Sequence, residues 1–208
     1  AFRAKYGIAP RGGGGGGGSG GAGVSPLLCI LPGSRLQEVR KHLPIFRGAV
    51  ERLVAQWPGL RCVVPTVPTV QREVEAAMAA WPGPPPVLVT DASERYDAFA
   101  ACDAAVAVSG TVATELAAAR LPSVVAYRAS WLTEMAARHL ALVSHVSLPN
   151  IVLGRQVIPE ALFSQCTPER VADLAAVAIA DPVERARQIE GMAEASAPSP
   201  LKALNPTP

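Results

Sequence analysis

Short apolar runs alternate with longer stretches of helical periodicity from Leu27 to about residue 192, and two of those runs break into small-residue turns that open directly into a helix. Together these two observations predict an α/β fold, a Rossmann-like parallel sheet with helices on both faces. Alternation of this kind is how strands joined by crossover helices read, and strand-to-helix turns are where such sheets collect ligands.

Each element has a local reason. Leu27-Leu28-Cys29-Ile30 is apolar at every position, as a strand covered on both faces requires, and predicts a strand over 27–31. Behind it, Val39, Leu43, Phe46, Val50, Leu53 and Val54 recur at helical spacing and Pro58-Gly59 supplies a stop, which predicts a helix over 38–56. The same alternation continues with strands over 60–65, 86–90, 104–108 and 123–126 and helices over 69–81, 95–101, 111–119, 132–142 and 168–180. Residues 1–10 read as the end of a preceding helix or a linker, and 11–26 as a flexible loop, since the glycine tract from Gly12 to Gly23 cannot offset its backbone entropy. One domain is expected over 27–192, and a disordered tail over 193–208, where Ser, Pro and Asn accumulate.

Composition removes several function classes. A formal charge of +2 over 208 residues provides no basic stripe, so no nucleic acid is expected as a partner. Cysteines 29, 62, 102 and 166 stand far apart with no Cys-x-x-Cys pair, the usage of reduced, packed thiols. Neither a metal nor a cofactor is expected, because no Asp-x-Asp pair or His/Asp cluster has ligand spacing. His42, His139 and His145 are scattered and none is assigned a catalytic role. No apolar run reaches the roughly 18 residues of a membrane span and no signal peptide is recognised, so any membrane contact is at the surface. The segment 131–140, apolar with a basic flank, suits either lipid headgroups or core packing.

The two strand-to-helix turns carry the chemistry. Ser109-Gly110-Thr111 follows the apolar run 104–108 and opens an alanine-rich helix. The first amides of a helix have no internal partner and the macrodipole is positive there, so small residues at such a turn leave an anion site. Glu115 lies about one helical turn further on, where a carboxylate can accept from a pair of sugar hydroxyls; together these point to a nucleotide-sugar diphosphate. Ordinary helix capping by Ser109 or Thr111, with Glu115 favourable in the first turn, is the competing reading. Leu31-Pro32-Gly33-Ser34-Arg35 is a second turn of the same kind, with Arg35 offering phosphate a permanent planar fork of donors, or standing as a solvated surface arginine.

Leu31-Pro32-Gly33-Ser34-Arg35-x-x-Glu38-Val39, Ser109-Gly110-Thr111-x-Ala113-Thr114-Glu115-Leu116, Val124-Val125-Ala126-Tyr127-Arg128 and Val146-Ser147-Leu148-Pro149-Asn150 occur in an order and spacing that resembles lipid-A-disaccharide synthase, with Thr167-Pro168-Glu169 and Asp181-Pro182 near the end. The resemblance implies the donor-binding, carboxyl-terminal half of a two-Rossmann-domain inverting glycosyltransferase. Such an enzyme joins UDP-2,3-diacylglucosamine to an acceptor, 2,3-diacylglucosamine 1-phosphate, by a β-1,6 bond and releases UDP. On this reading Gly33, Ser34 and Arg35 with Ser109, Gly110 and Thr111 face the diphosphate, Glu115 faces the ribose hydroxyls, and the catalytic base lies in the other half. Asn150 orients the donor sugar or is a turn residue after Pro149; Arg128 helps neutralise the diphosphate or pairs with a carboxylate at a strand end. The implied location is the cytosolic face of a bacterial inner membrane or a plant or algal organelle, and a homo-oligomer stays open. The competing classes are a non-catalytic UDP-binding or oligomerisation module and another UDP-sugar enzyme of the same fold.

Overall fold

A computed structural model of the chain describes residues 1–10, 25–128 and 145–197. Its sheet has six parallel strands in the order β3-β2-β1-β4-β5-β6. They are β1 (Leu27–Leu31), β2 (Arg61–Pro65), β3 (Val87–Val89), β4 (Ala104–Val108), β5 (Ser123–Tyr127) and β6 (Glu160–Leu162). The helices are α1 (Phe2–Lys5), α2 (Leu36–Gln56), α3 (Gln71–Met78), α4 (Arg95–Ala101), α5 (Val112–Ala118), α6 (Leu148–Leu153), α7 (Pro168–Ala180) and α8 (Pro182–Ser196).

The apolar runs work as a two-sided core. Leu28 and Ile30 of β1, with Val106 of β4 and Val124 of β5, pack on one face beneath α2, α3 and α7, and Leu27, Cys29 and Leu31 with Ala105 and Ala107 pack on the other beneath α1, α4 and α5. Alternate residues therefore leave the sheet on opposite sides, as the pleat dictates, and all five positions of β1 and of β4 are buried. All four cysteines are buried and free, and burial pushes the Cys62 thiol up to about 12.

Several boundaries shift for identifiable reasons. Helix α2 starts at Leu36, ahead of the expected 38, because Arg35 takes the extended N-cap conformation and Glu38 reaches back to its amide. It continues through Pro44, whose missing N–H is offset by the buried stripe of Val39, Leu43, Phe46, Val50 and Leu53. Strand β6 is absent from the sequence expectation: three residues, Glu-Ala-Leu, carry no readable periodicity, and only pairing with β5 makes them a strand. The amino-terminal segment, a short helix as one of its two expected readings had it, packs against the sheet layer: Phe2 and Ile8 are buried and Arg3 pairs with Asp103 at 2.7 Å. Just ahead of β1 the Pro26 carbonyl accepts from the Arg61 amide at 3.0 Å, and α8 runs to Ser196. The expected helix over 132–142, the segment 131–140 offered to headgroups, and most of the expected glycine loop and tail lie outside the described residues. Among the described residues no helix is long and apolar enough to cross a membrane.

Candidate functional site

Strands β1 and β4 are neighbours at the centre of the sheet, and the chain order reverses between them. At such a switch point the connections leave in opposite directions and a crevice opens beyond the carboxyl ends of the strands. Here a cleft of about 330 Å³ is bounded by the β1–α2 turn, the β4–α5 turn, the end of β2 and the start of α4. Gly33, Ser34, Arg35, Ser109, Gly110, Thr111 and Glu115 all line it. Sequence reasoning does not assign its three other polar lining residues, Glu38, Thr66 and Arg95, to the site.

The β1–α2 turn is closed on itself. Gly33 has φ +109°, and a Cβ there would lie 2.7 Å from both Cβ and Oε2 of Glu38, so only glycine fits. The Glu38 carboxylate accepts from the Ser34 and Arg35 amides, each at 3.2 Å, and from the Arg35 guanidinium at 2.8 Å. Two amides of the turn ahead of α2 are thus taken by the helix's own carboxylate, although the Arg35 side chain stays 82% exposed and keeps donors to spare.

The β4–α5 turn is open by comparison. The Ser109 amide is used by the Ala126 carbonyl at 3.1 Å, tying the turn to β5, and the Ala113 and Thr114 amides fold back onto Gly110 and Thr111. Between them the amides of Gly110, Thr111 and Val112 have no acceptor among the described residues. A Cβ on Gly110 would meet nothing within 4 Å, since that side of the residue gives onto open space. The Ser109 hydroxyl is not a free ligand group: it donates to the Val146 carbonyl at 3.1 Å. Residues 146 and 147 are held in turn by Glu160 of β6, which accepts from the Val146 amide at 3.1 Å and the Ser147 amide at 2.8 Å.

Glu115, in the first turn of α5, pairs through Oε2 with the Arg95 guanidinium at 2.9 Å across the cleft wall. A cation in the first turn of a helix opposes the macrodipole. Arg95 holds that unfavourable place at the head of α4, and this is the available signal that it is there for a partner elsewhere.

Two expected site residues are placed differently. Asn150 does not reach the cleft: it is fully buried, its Oδ1 accepting from the Val157 and Ile158 amides at 2.7 and 2.8 Å while its amide donates to the Ile158 carbonyl at 2.8 Å. With these bonds made it serves as an internal brace for the loop after α6, closer to the turn-residue reading than to a sugar contact. Arg128 does not line the cleft either, and pairs with no carboxylate among the described residues; its guanidinium reaches the Cys166 carbonyl at 3.4 Å. Its backbone matters more, because the Arg128 amide donates to Nε2 of the buried His42 at 3.0 Å while Nδ1 of the same ring bonds the Glu38 carbonyl at 2.8 Å. An acceptor at Nε2 fixes the neutral tautomer with its proton on Nδ1, and burial lowers the His42 pKa to match. His42 therefore ties the head of α2 to the end of β5. Among the described residues no three His, Cys, Asp or Glu side chains are grouped to hold a metal.

Known proteins resemble this chain in sequence and in fold. A lipid-A-disaccharide synthetase family model matches residues 23–197. The lipid-A-disaccharide synthase of Rhodospirillum centenum is 43% identical over 193 residues, covering 93% of this chain and 45% of that protein. A probable mitochondrial lipid-A-disaccharide synthase of Arabidopsis thaliana is 42% identical over 170 residues, covering 80% of this chain and 37% of its own length. The chain thus spans less than half the length of these curated relatives. Among solved structures, WaaG, a glycosyltransferase involved in lipopolysaccharide biosynthesis, has the same fold, with TM-score 0.57 at 16% identity over 97% of this chain and 48% of that one. With a family match that covers most of its length and relatives above 40% identity, the chain belongs to the lipid-A-disaccharide synthase family.

Proposed function

We propose that this chain is the donor-binding half of an inverting lipid-A-disaccharide synthase and holds the UDP part of UDP-2,3-diacylglucosamine in the cleft between β1 and β4. The observation that carries the reading is convergence: Arg35, the unpartnered amides of the β4–α5 turn and the Glu115 carboxylate line one cleft at the switch point of the sheet. A diphosphate needs cationic and amide donors, and a ribose needs an acceptor for its hydroxyls; the cleft offers both side by side.

Transfer of the sugar develops negative charge on the departing diphosphate while the anomeric carbon gains oxocarbenium character. Fixed donors at the turn stabilise that charge without having to reorganise. A base must also deprotonate the acceptor hydroxyl of 2,3-diacylglucosamine 1-phosphate. On this reading it belongs to the portion of the longer relatives that the chain does not span. Substrates with acyl chains place the work at a membrane surface, at the cytosolic face of a bacterial inner membrane or in a plant or algal organelle. Calorimetric titration with UDP tests the reading: the chain is expected to bind UDP without turnover, and Arg35→Ala and Glu115→Ala to bind it more weakly. Absence of binding, or unchanged binding by both variants, overturns it.

A further inference from the structure

Among the described residues, the Arg95–Glu115 pair is the one ion pair whose two members both line the cleft and come from different elements of the cleft wall, α4 and α5. Arg95 is held from two directions. Its guanidinium lies 5.6 Å from the centroid of the Phe99 ring, which is itself buried, and its Nη2 sits 2.9 Å from Glu115 Oε2. Both side chains are 29% exposed, so the pair sits in the cleft wall rather than in bulk water. A guanidinium held against a ring and paired with a carboxylate keeps little rotational freedom, and it fixes the carboxylate that it meets. One oxygen of Glu115 is thereby committed, and the other has no hydrogen-bond partner among the described residues.

We propose that Arg95 is a positioning residue that presents the free oxygen of Glu115 to vicinal hydroxyls of the ligand and so makes the cleft selective for a ribonucleoside diphosphate over its deoxy forms. This inference rests on the donor-site reading above. It assigns Arg95 no contact with the diphosphate: the α4 side of the cleft acts through Glu115, while charge is met at the two turns. Without Arg95 the carboxylate regains its rotamers, and the bond to the hydroxyls must then be made at the cost of ordering it.

The test is a comparison of UDP with 2′,3′-dideoxy-UDP, titrated by calorimetry into the wild-type chain, Arg95→Gln and Arg95→Lys. A hydrogen bond from ligand hydroxyls to a charged, oriented carboxylate corresponds to a wild-type preference for UDP of about tenfold or more. Arg95→Gln is expected to bring that preference to within about threefold while leaving dideoxy-UDP affinity within about threefold of wild type, and Arg95→Lys to fall between. Unchanged dideoxy-UDP binding also certifies that the variant is folded. If UDP binds the wild type and the preference survives in Arg95→Gln, the positioning role is wrong and the donor site stands. Equal weakening of both ligands also overturns the positioning role, because Arg95 then meets the diphosphate charge directly. If neither ligand binds the wild type, the donor-site reading fails and this inference with it.

Discussion

The β1–α2 and β4–α5 turns are written in the same grammar, an apolar strand, then glycine with serine, then a helix, yet they end in opposite electrostatic states. The first is capped by its own Glu38, whose carboxylate takes the Ser34 and Arg35 amides. The second also carries an acid five residues after its glycine, Glu115, but that carboxylate is turned toward Arg95, and the amides of Gly110, Thr111 and Val112 are without acceptors among the described residues. An anion thus meets two unequal walls, one presenting a guanidinium on a turn whose Ser34 and Arg35 amides are taken and the other presenting the unpaired amides of Gly110, Thr111 and Val112. A strand–turn–helix junction makes an anion site possible. Which side chain reaches back decides whether the site is open.

The sharpest way to break this comparison is at the two glycines. Gly33→Ala forces a methyl against Glu38 at a backbone angle that L residues rarely adopt, and is expected to lose about 2 kcal/mol or more of stability in urea unfolding. Gly110→Ala meets no atom within 4 Å, but its φ of +159° is also one that L residues rarely adopt, so it is expected to lose stability through the backbone alone, less than Gly33→Ala, while weakening UDP binding. Equal losses at the two positions would erase the distinction between a closed and an open turn. Next in size is Glu115→Gln, expected to reduce UDP affinity by roughly 1.5–3 kcal/mol with little change in melting temperature, read by calorimetry beside thermal unfolding. Glu38→Ala removes a cap and should cost about 1 kcal/mol of stability. It also frees the Ser34 and Arg35 amides, so binding of inorganic pyrophosphate is expected to tighten; weaker binding would mean that Glu38 organises the turn for the ligand rather than competing with it.

The smallest effect concerns His42, the link between the head of α2 and β5. Burial is the main cause of its lowered pKa, helped by Lys41 and Arg128, while its bond to the Glu38 carbonyl and the Glu38 charge act the other way. Because the folded value lies below the ordinary 6.5, the unfolded chain binds the proton first. The contribution of His42 is therefore complete above about pH 6.5 and is lost as pH falls through that value toward the depressed one. His42→Gln is expected to flatten the loss of stability as pH falls below about 6.5. Glu169 and Glu184, whose carboxyls are held below the usual carboxylate range by hydrogen bonds, act at still lower pH and leave that window to the histidine. An unchanged slope in the variant would show that the Arg128 amide does not depend on the neutral ring.

Much of the molecule is legible in the order of its residues. Runs such as 27–31 and 104–108 are apolar throughout because both faces of the sheet are covered, and 168–180 is announced by Thr167 as cap, Pro168 at the first position and a periodic apolar face. The two glycine turns are visible because backbone demands write themselves into residue type. Arg95 is not, since nothing in 95–101 says that its first residue faces a helix beginning 17 positions later. Asn150 misleads for the opposite reason: its motif is informative, but its side chain closes on Val157 and Ile158 within its own loop.

The sequence by itself determined the alternation of strands and helices, the turns beyond β1 and β4, and the acid and guanidinium that such turns require. These follow from burial, backbone geometry and charge, all of which act over a few residues. Tertiary structure alone decided the sixth strand, the link from His42 to Arg128, the sealing of one turn by Glu38 and the placing of Arg95 against Glu115. Each of these is a choice among partners far apart in the chain or among rotamers at one place, and only the packed sheet brings the candidates within hydrogen-bonding distance.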